Sequence, residues 1–93
     1  MAAPFALGQV VATPGVLAAV GSAELFPLLR RHLSGDWGDL DAHDTKMNDD
    51  ATRNGDRILS AYHVAGLTAE RVKVYIITEA DRSVTTFLLP EEY

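Results

Sequence analysis

Ninety-three residues are enough for one domain and too few for a second lobe, and a chain of this size buries only about 60–65% of the surface it exposes when unfolded. A composition 47% hydrophobic and 23% charged excludes a disordered tail, collagen or a coiled coil, zero cysteines exclude disulfides, thiolate zinc sites and cysteine catalysis, and no apolar run nears the roughly 18 residues of a membrane span. The net charge of −5 sits on residues 36–56, where Asp36, Asp39, Asp41, Asp44, Asp49, Asp50 and Asp56 meet only Lys46 and Arg53, a bias that repels nucleic-acid phosphate and steers basic protein surfaces.

The chain is expected to form a single domain over residues 1–93. Its opening MAAPFAL has no basic residue ahead of the apolar part, which makes a poor secretory signal and points to a cytoplasmic protein. Residues 7–13 form a short β-prone run. Thr13 then offers an N-cap and Pro14 a first helical position, so a helix is predicted over Pro14–Val20, with Val16, Leu17 and Val20 as its apolar side and Gly21 as its stop. Ser22 begins a second helical segment that Pro27 complicates, so the regular helix starts either there or near Phe26. Leu25, Leu28, Leu29 and Leu33 repeat at helical spacing, Arg30, Arg31 and His32 fall in the last turn, and Gly35 ends it.

A third helix is predicted over residues 41–54, capped by Asp41 with Asp44 three residues on and stopped by Asn54-Gly55. Met47 and Ala51 make a narrow apolar stripe, and Asp49 with Arg53 an i, i+4 ion pair. From Arg57 the period changes to two. Ile58, Ser60, Tyr62 and Val64 alternate with Leu59, Ala61 and His63, and the same alternation recurs over residues 71–79 and 84–89. Short connections make these an antiparallel three-stranded meander with the second strand in the middle. The fold class is therefore α+β: about three N-terminal helices packed on the meander, to which the N-terminal strand can add. Both faces of the middle strand are apolar, so helices are expected over one face and the N-terminal strand or a partner over the other.

The blocks LGQVVATPG (7–15), RHLSGDWG (31–38), RILSAY (57–62), ITEADRS (77–83) and TTFLLPEEY (85–93) together resemble a family of short bacterial proteins carried on plasmids, phages and other mobile elements. Members are labelled plasmid-related or as a restriction-system methylation subunit. The resemblance implies a mobile-element setting and brings no catalytic residue. The methylation label does not fit the chain, because a doubly wound sheet with a glycine-rich cofactor loop has no room in it. At the level of element order, helices before an antiparallel sheet are also similar to the barnase–colicin–RelE-like ribonucleases, by which analogy His32, Arg57 or Arg82, and Thr85 or Thr86 would be catalytic.

His32 is a general acid or base on that view, and a polar plug against Trp37 on the structural one. His32, Asp36, Asp39 and His43 supply metal-type donors, yet their spacing matches no standard site and misses the calcium-loop pattern. Trp37, between Gly35 and Gly38, is either an interface anchor or folded back on the core. Ser60 and Tyr62 share a strand face without an evident base. The favoured reading is an acidic, non-enzymatic protein-binding module with no cofactor, no metal and no direct DNA or membrane binding. Asp36, Trp37, Asp39, Asp41, Asp44, Asp49 and Asp50 would meet a basic surface of the partner, and anti-restriction or anti-CRISPR inhibition is its sharpest form. The alternatives are a metal-independent ribonuclease or toxin-like domain using His32, Arg57, Arg82 and Thr85, and a homodimeric structural or regulatory module.

Overall fold

In chain order the elements are β1 (Gln9–Ala12), α1 (Pro14–Val20), α2 (Leu25–Leu33), α3 (Ala42–Asn54), β2 (Ile58–Ala65), β3 (Arg71–Thr78) and β4 (Val84–Leu88), with 3-10 turns at Ser22–Glu24 and Pro90–Glu92. The computed structural model describes residues 5–68 and 70–93. The first four residues of the segment read as a poor secretory signal, and Ala69 in the connection before β3, lie outside them.

The helix signals act as expected. Thr13 Oγ1 accepts from Val16 N at 3.2 Å, Asp41 Oδ1 accepts from Asp44 N at 2.8 Å, and Gly55 closes α3 at φ 77°. The Ser22–Glu24 turn feeds directly into Leu25, which leaves Pro27 in the first turn of α2, where a missing N–H breaks no helical bond. Packing departs from the expected stripes in two places. Leu17 is exposed while Val16 and Val20 are buried, and α3 turns Asn48 and Ala51 inward while Met47 faces water, because Asn48 has a main-chain partner to satisfy.

β3 pairs antiparallel with both β2 and β4, as the periodicity implies, but the sheet has four strands and is mixed. β1 lies parallel beside β4, in the order β1-β4-β3-β2, with Gln9 opposite Val84 and Ala12 opposite Phe87. β1 thus extends an edge and does not cover a face. The registers put Ile58, Ser60 and Tyr62, Val74, Ile76 and Thr78, and Thr85 and Phe87 on one face, and all three helices pack there. Val16, Val20, Leu25 and Leu28 cover its wider part, while Phe5, Trp37 and Ala51 surround Ile58. On the opposite face the Tyr93 ring meets Tyr75 edge-on at 6.2 Å.

The two outer edges differ. On β2, Asn48 donates to Leu59 O and accepts from Leu59 N, Ala61 N donates to Trp37 O at 3.1 Å, and Asp39 N donates to Ala61 O at 2.6 Å. Gly38 makes that approach possible at φ 77°, for a Cβ there would strike Ala61 O and the Tyr62 ring. Among the described residues nothing pairs with the outer edge of β1. No helix among them is long and apolar enough to cross a membrane.

Candidate functional site

The last turn of α2 delivers His32 onto the helix-covered sheet face, seven residues after Leu25 and four after Leu28, so the imidazole continues the buried side of the helix. It lands on a row of hydroxyls from three strands. Ser60 Oγ bonds His32 Nδ1, Thr78 Oγ1 lies 2.9 Å from Nε2, Thr85 Oγ1 lies 2.8 Å from Thr78 Oγ1, and Thr85 Oγ1 donates to Leu7 O at 2.8 Å. His32, Ser60, Thr78 and Thr85 are all 0% exposed. Phe5 and Trp37 close the roof, each edge-on to the imidazole, at 5.3 and 5.7 Å.

The Leu7 carbonyl sets the direction of the whole chain of protons. A carbonyl only accepts, so Thr85 donates to it and its oxygen accepts from Thr78. Thr78 has then used its hydrogen and accepts from Nε2–H, which leaves Nδ1 bare to accept from Ser60. His32 is therefore the neutral Nε2–H tautomer, and a second ring proton, on Nδ1, would force Ser60 Oγ from donor to acceptor and send its hydroxyl hydrogen to another partner. Burial acts in the same sense and lowers the His32 pKa to about 4.

Ser60 thus does have a base beside it, which the sequence reading missed. The only available signal was that Ser60 interrupts an otherwise apolar strand face at the point where a buried polar partner is needed. Chemically, Ser60 and His32 have the orientation of a nucleophile and its base, but Nε2 meets a threonine and the group touches no solvent. His32 is also not the last-turn cation expected beside Arg30 and Arg31. Arg57 and Arg82 do not join it. Arg57 lies over the Tyr93 ring at 5.1 Å and donates to its hydroxyl. Arg82, at φ 60°, donates to Asp56 O at 2.7 Å, Ala51 O at 3.0 Å and Glu79 O at 3.1 Å, tying the β3–β4 turn to the end of α3.

The acidic set is dispersed in the same way. Trp37 is 4% exposed and its Nε1–H donates to Asp49 Oδ1 at 2.9 Å, so it packs in the core and fastens α3 to α2. Asp36 pairs with Arg31 at 2.7 Å, which holds its carboxyl below the usual range. The Tyr62 hydroxyl donates to Asp36 O at 2.7 Å, the Arg31 guanidinium lies over the Tyr62 ring at 4.7 Å, and burial pushes Tyr62 up to about 12. Asp39 pairs with His63 at 3.2 Å, and Asp50 with both Lys46 and Arg53. Arg53 takes Asp50 rather than the expected Asp49 because Asp49 is held by the indole. Asp41 caps α3, and Asp44 stays at the surface.

Of the potential metal donors, His32, Asp36 and Asp39 go to separate partners and His43 is exposed on α3, and among the described residues no group of three His, Cys, Asp or Glu could hold an ion. Two surface depressions accompany these elements. One, of about 450 Å³, lies between α3 and the start of β2 and includes Asp44, Met47, Asp56, Leu59 and Tyr93. The other, about 420 Å³, is polar and includes Arg31, Asp39, His63 and Arg71. No family model, curated protein or solved structure matches the chain.

Proposed function

We propose that this chain is a non-enzymatic protein-binding module whose partner lays a basic surface on α3, the start of β2 and Tyr93. The observation that supports it is the groove of about 450 Å³ there, where Met47 (58% exposed), Tyr93 (67% exposed), Leu40 and Leu59 supply apolar surface, Asp44 and Asp56 the negative rim, and Arg57 one positive charge. An apolar anchor site edged by two carboxylates, with the Arg57 cation turned onto the Tyr93 ring, fits a side chain such as Leu or Met flanked by Lys or Arg, with the charge setting encounter rate and the anchor setting residence. Asp36, Asp39, Asp49 and Asp50 are engaged within the chain, so Asp44 and Asp56 take over the role the sequence assigned to the whole acidic run. Taken with the resemblance to mobile-element proteins, the narrower form of this reading is an anti-defence inhibitor that occupies the basic, nucleic-acid-binding surface of a restriction or CRISPR protein.

Selection of random displayed peptides on the purified protein tests it. Enriched sequences should carry an apolar residue between Lys or Arg, and their affinity should fall as salt rises. It should also fall by about tenfold or more in the Asp44→Lys, Met47→Asp variant, both positions being at the surface. Absence of enrichment, or binding unchanged in that variant, overturns the proposal.

A further inference from the structure

The sheet treats its two edges differently. At β2, Asn48 and the segment from Trp37 to Asp39 close the first half of the edge, with bonds to both main-chain groups of Leu59 and of Ala61, and the outward groups of His63 and Ala65 lie beyond them. On β1, Gln9 N donates to Ser83 O and Thr13 N to Phe87 O, so residues 9, 11 and 13 face β4. Alternation then turns the N–H and C=O of Val10 and Ala12 away from the sheet, and among the described residues neither meets a hydrogen-bonding partner.

Apart from its length of four residues, β1 carries none of the usual protections of an exposed edge. It holds no charge, proline or bulge, and both its valines are at the surface, Val10 at 43% and Val11 at 37% exposure. The charge pattern extends this beyond the strand: residues 1–23 contain no charged side chain, and the net charge of −5 lies on residues 36–56. Two copies can therefore meet at β1 without bringing their acidic segments into the seam.

We infer that β1 is a self-pairing edge, joining a second copy of this chain antiparallel so that the two sheets become one. One register uses every outward group. With the two-fold axis at Val11, Val10 of each copy faces Ala12 of the other, each residue donating and accepting, and Val11 faces its own symmetry mate in the close, non-hydrogen-bonded position. Val11 shares its face with Thr86, so the valine pair lies on the sheet face away from the helices. An extended segment from another protein would use the same main-chain groups but lacks the self-matching register. The inference is independent of the groove at α3.

The absence of cysteine makes the register directly readable. In Val11→Cys protein the two Cα atoms are about 4.5 Å apart in this register, within disulfide reach, whereas in Gln9→Cys protein the cysteines stand about 13 Å apart across the axis. Mild oxidation should cross-link the Val11→Cys chain and leave the Gln9→Cys chain monomeric. Sedimentation of the unmodified 93-residue chain should show dimer growing with concentration, and Val11→Lys, which sets like charges face to face at a surface position, should abolish it. A chain that stays monomeric up to about 1 mM, equal cross-linking of the two cysteine variants, or a dimer that persists in Val11→Lys overturns the inference.

Discussion

The Nε2–H of His32 donates to Thr78 Oγ1 over 2.9 Å, and Thr78 donates on to Thr85 at 2.8 Å, so a second ring proton can go only on Nδ1, where it would displace the hydrogen that Ser60 donates. A histidine held neutral in this way links folding to pH. The folded pKa, about 4, lies below the unfolded value near 6.5, so between them the unfolded chain binds the extra proton and stability rises with pH. About 3 kcal/mol present above pH 6.5 should be lost as the pH falls to 4. Denaturant titrations at pH 7, 5.5 and 4.5 measure it, and in His32→Gln protein the slope over this range should flatten. A long-range ¹H–¹⁵N spectrum should show Nε2 protonated and Nδ1 bare at pH 6; a proton on Nδ1 would refute the bonding order.

Trp37 and Asp49 give a second test, because they separate packing from charge. Trp37→Ala removes a ring that packs against both Phe5 and His32, and should cost about 3–5 kcal/mol, a large share of the stability of so small a domain. Asp49→Ala leaves the indole N–H without its acceptor and should cost about 1–3 kcal/mol. Asp49→Asn keeps an acceptor oxygen and should stay within about 0.5 kcal/mol of the parent. If Asp49→Asn is as damaging as Asp49→Ala, the negative charge rather than the hydrogen bond holds Trp37.

These residues also mark where sequence reading stops. Thr13 with Pro14, Asp41 with Gly55, and the two-residue alternation after Arg57 act within a few positions along the chain, so helix ends and strands were legible. The parallel pairing of Gln9 with Val84 spans most of the chain and leaves no local mark. His32 was ambiguous for another reason: its spacing from Leu28 fits the buried face while its type fits the helix C-terminus, and only the hydroxyls of Ser60 and Thr78 decide between them. The acidic run was legible as composition but not as surface, since Arg31, Lys46, Arg53, His63 and the Trp37 indole each engage one of its carboxylates.

Arg82 is the described non-glycine residue with positive φ, at 60°, and its guanidinium bonds to Ala51 O, Asp56 O and Glu79 O hold it there. Arg82→Ala keeps the strained backbone and loses the bonds, and should cost about 2–4 kcal/mol. Arg82→Gly loses the same bonds but relieves the backbone, and should be more stable than Arg82→Ala by about 1 kcal/mol. Arg82→Lys should recover little, since a single ammonium cannot reproduce the planar fork. Equilibrium unfolding of the three variants checks the order. A catalytic Arg82 would instead be free of these bonds, and its loss would leave stability unchanged.

Asn48 supplies the last test, because its amide reads both main-chain groups of Leu59. Asn48 is buried, so Asn48→Ala should cost about 2–3 kcal/mol and uncover the β2 edge, with aggregation appearing in the unfolding transition. Asn48→Asp has nearly the same shape but, when ionised, can accept from Leu59 N while turning a second oxygen towards Leu59 O. It should therefore be destabilised at pH 7. A protonated carboxyl donates to that carbonyl as the amide does, so the deficit relative to the parent should shrink as the pH falls to about 4. Comparing the two proteins at both pH values cancels the His32 contribution they share. A deficit that stays constant with pH would mean that Asn48 holds α3 to the strand by packing alone.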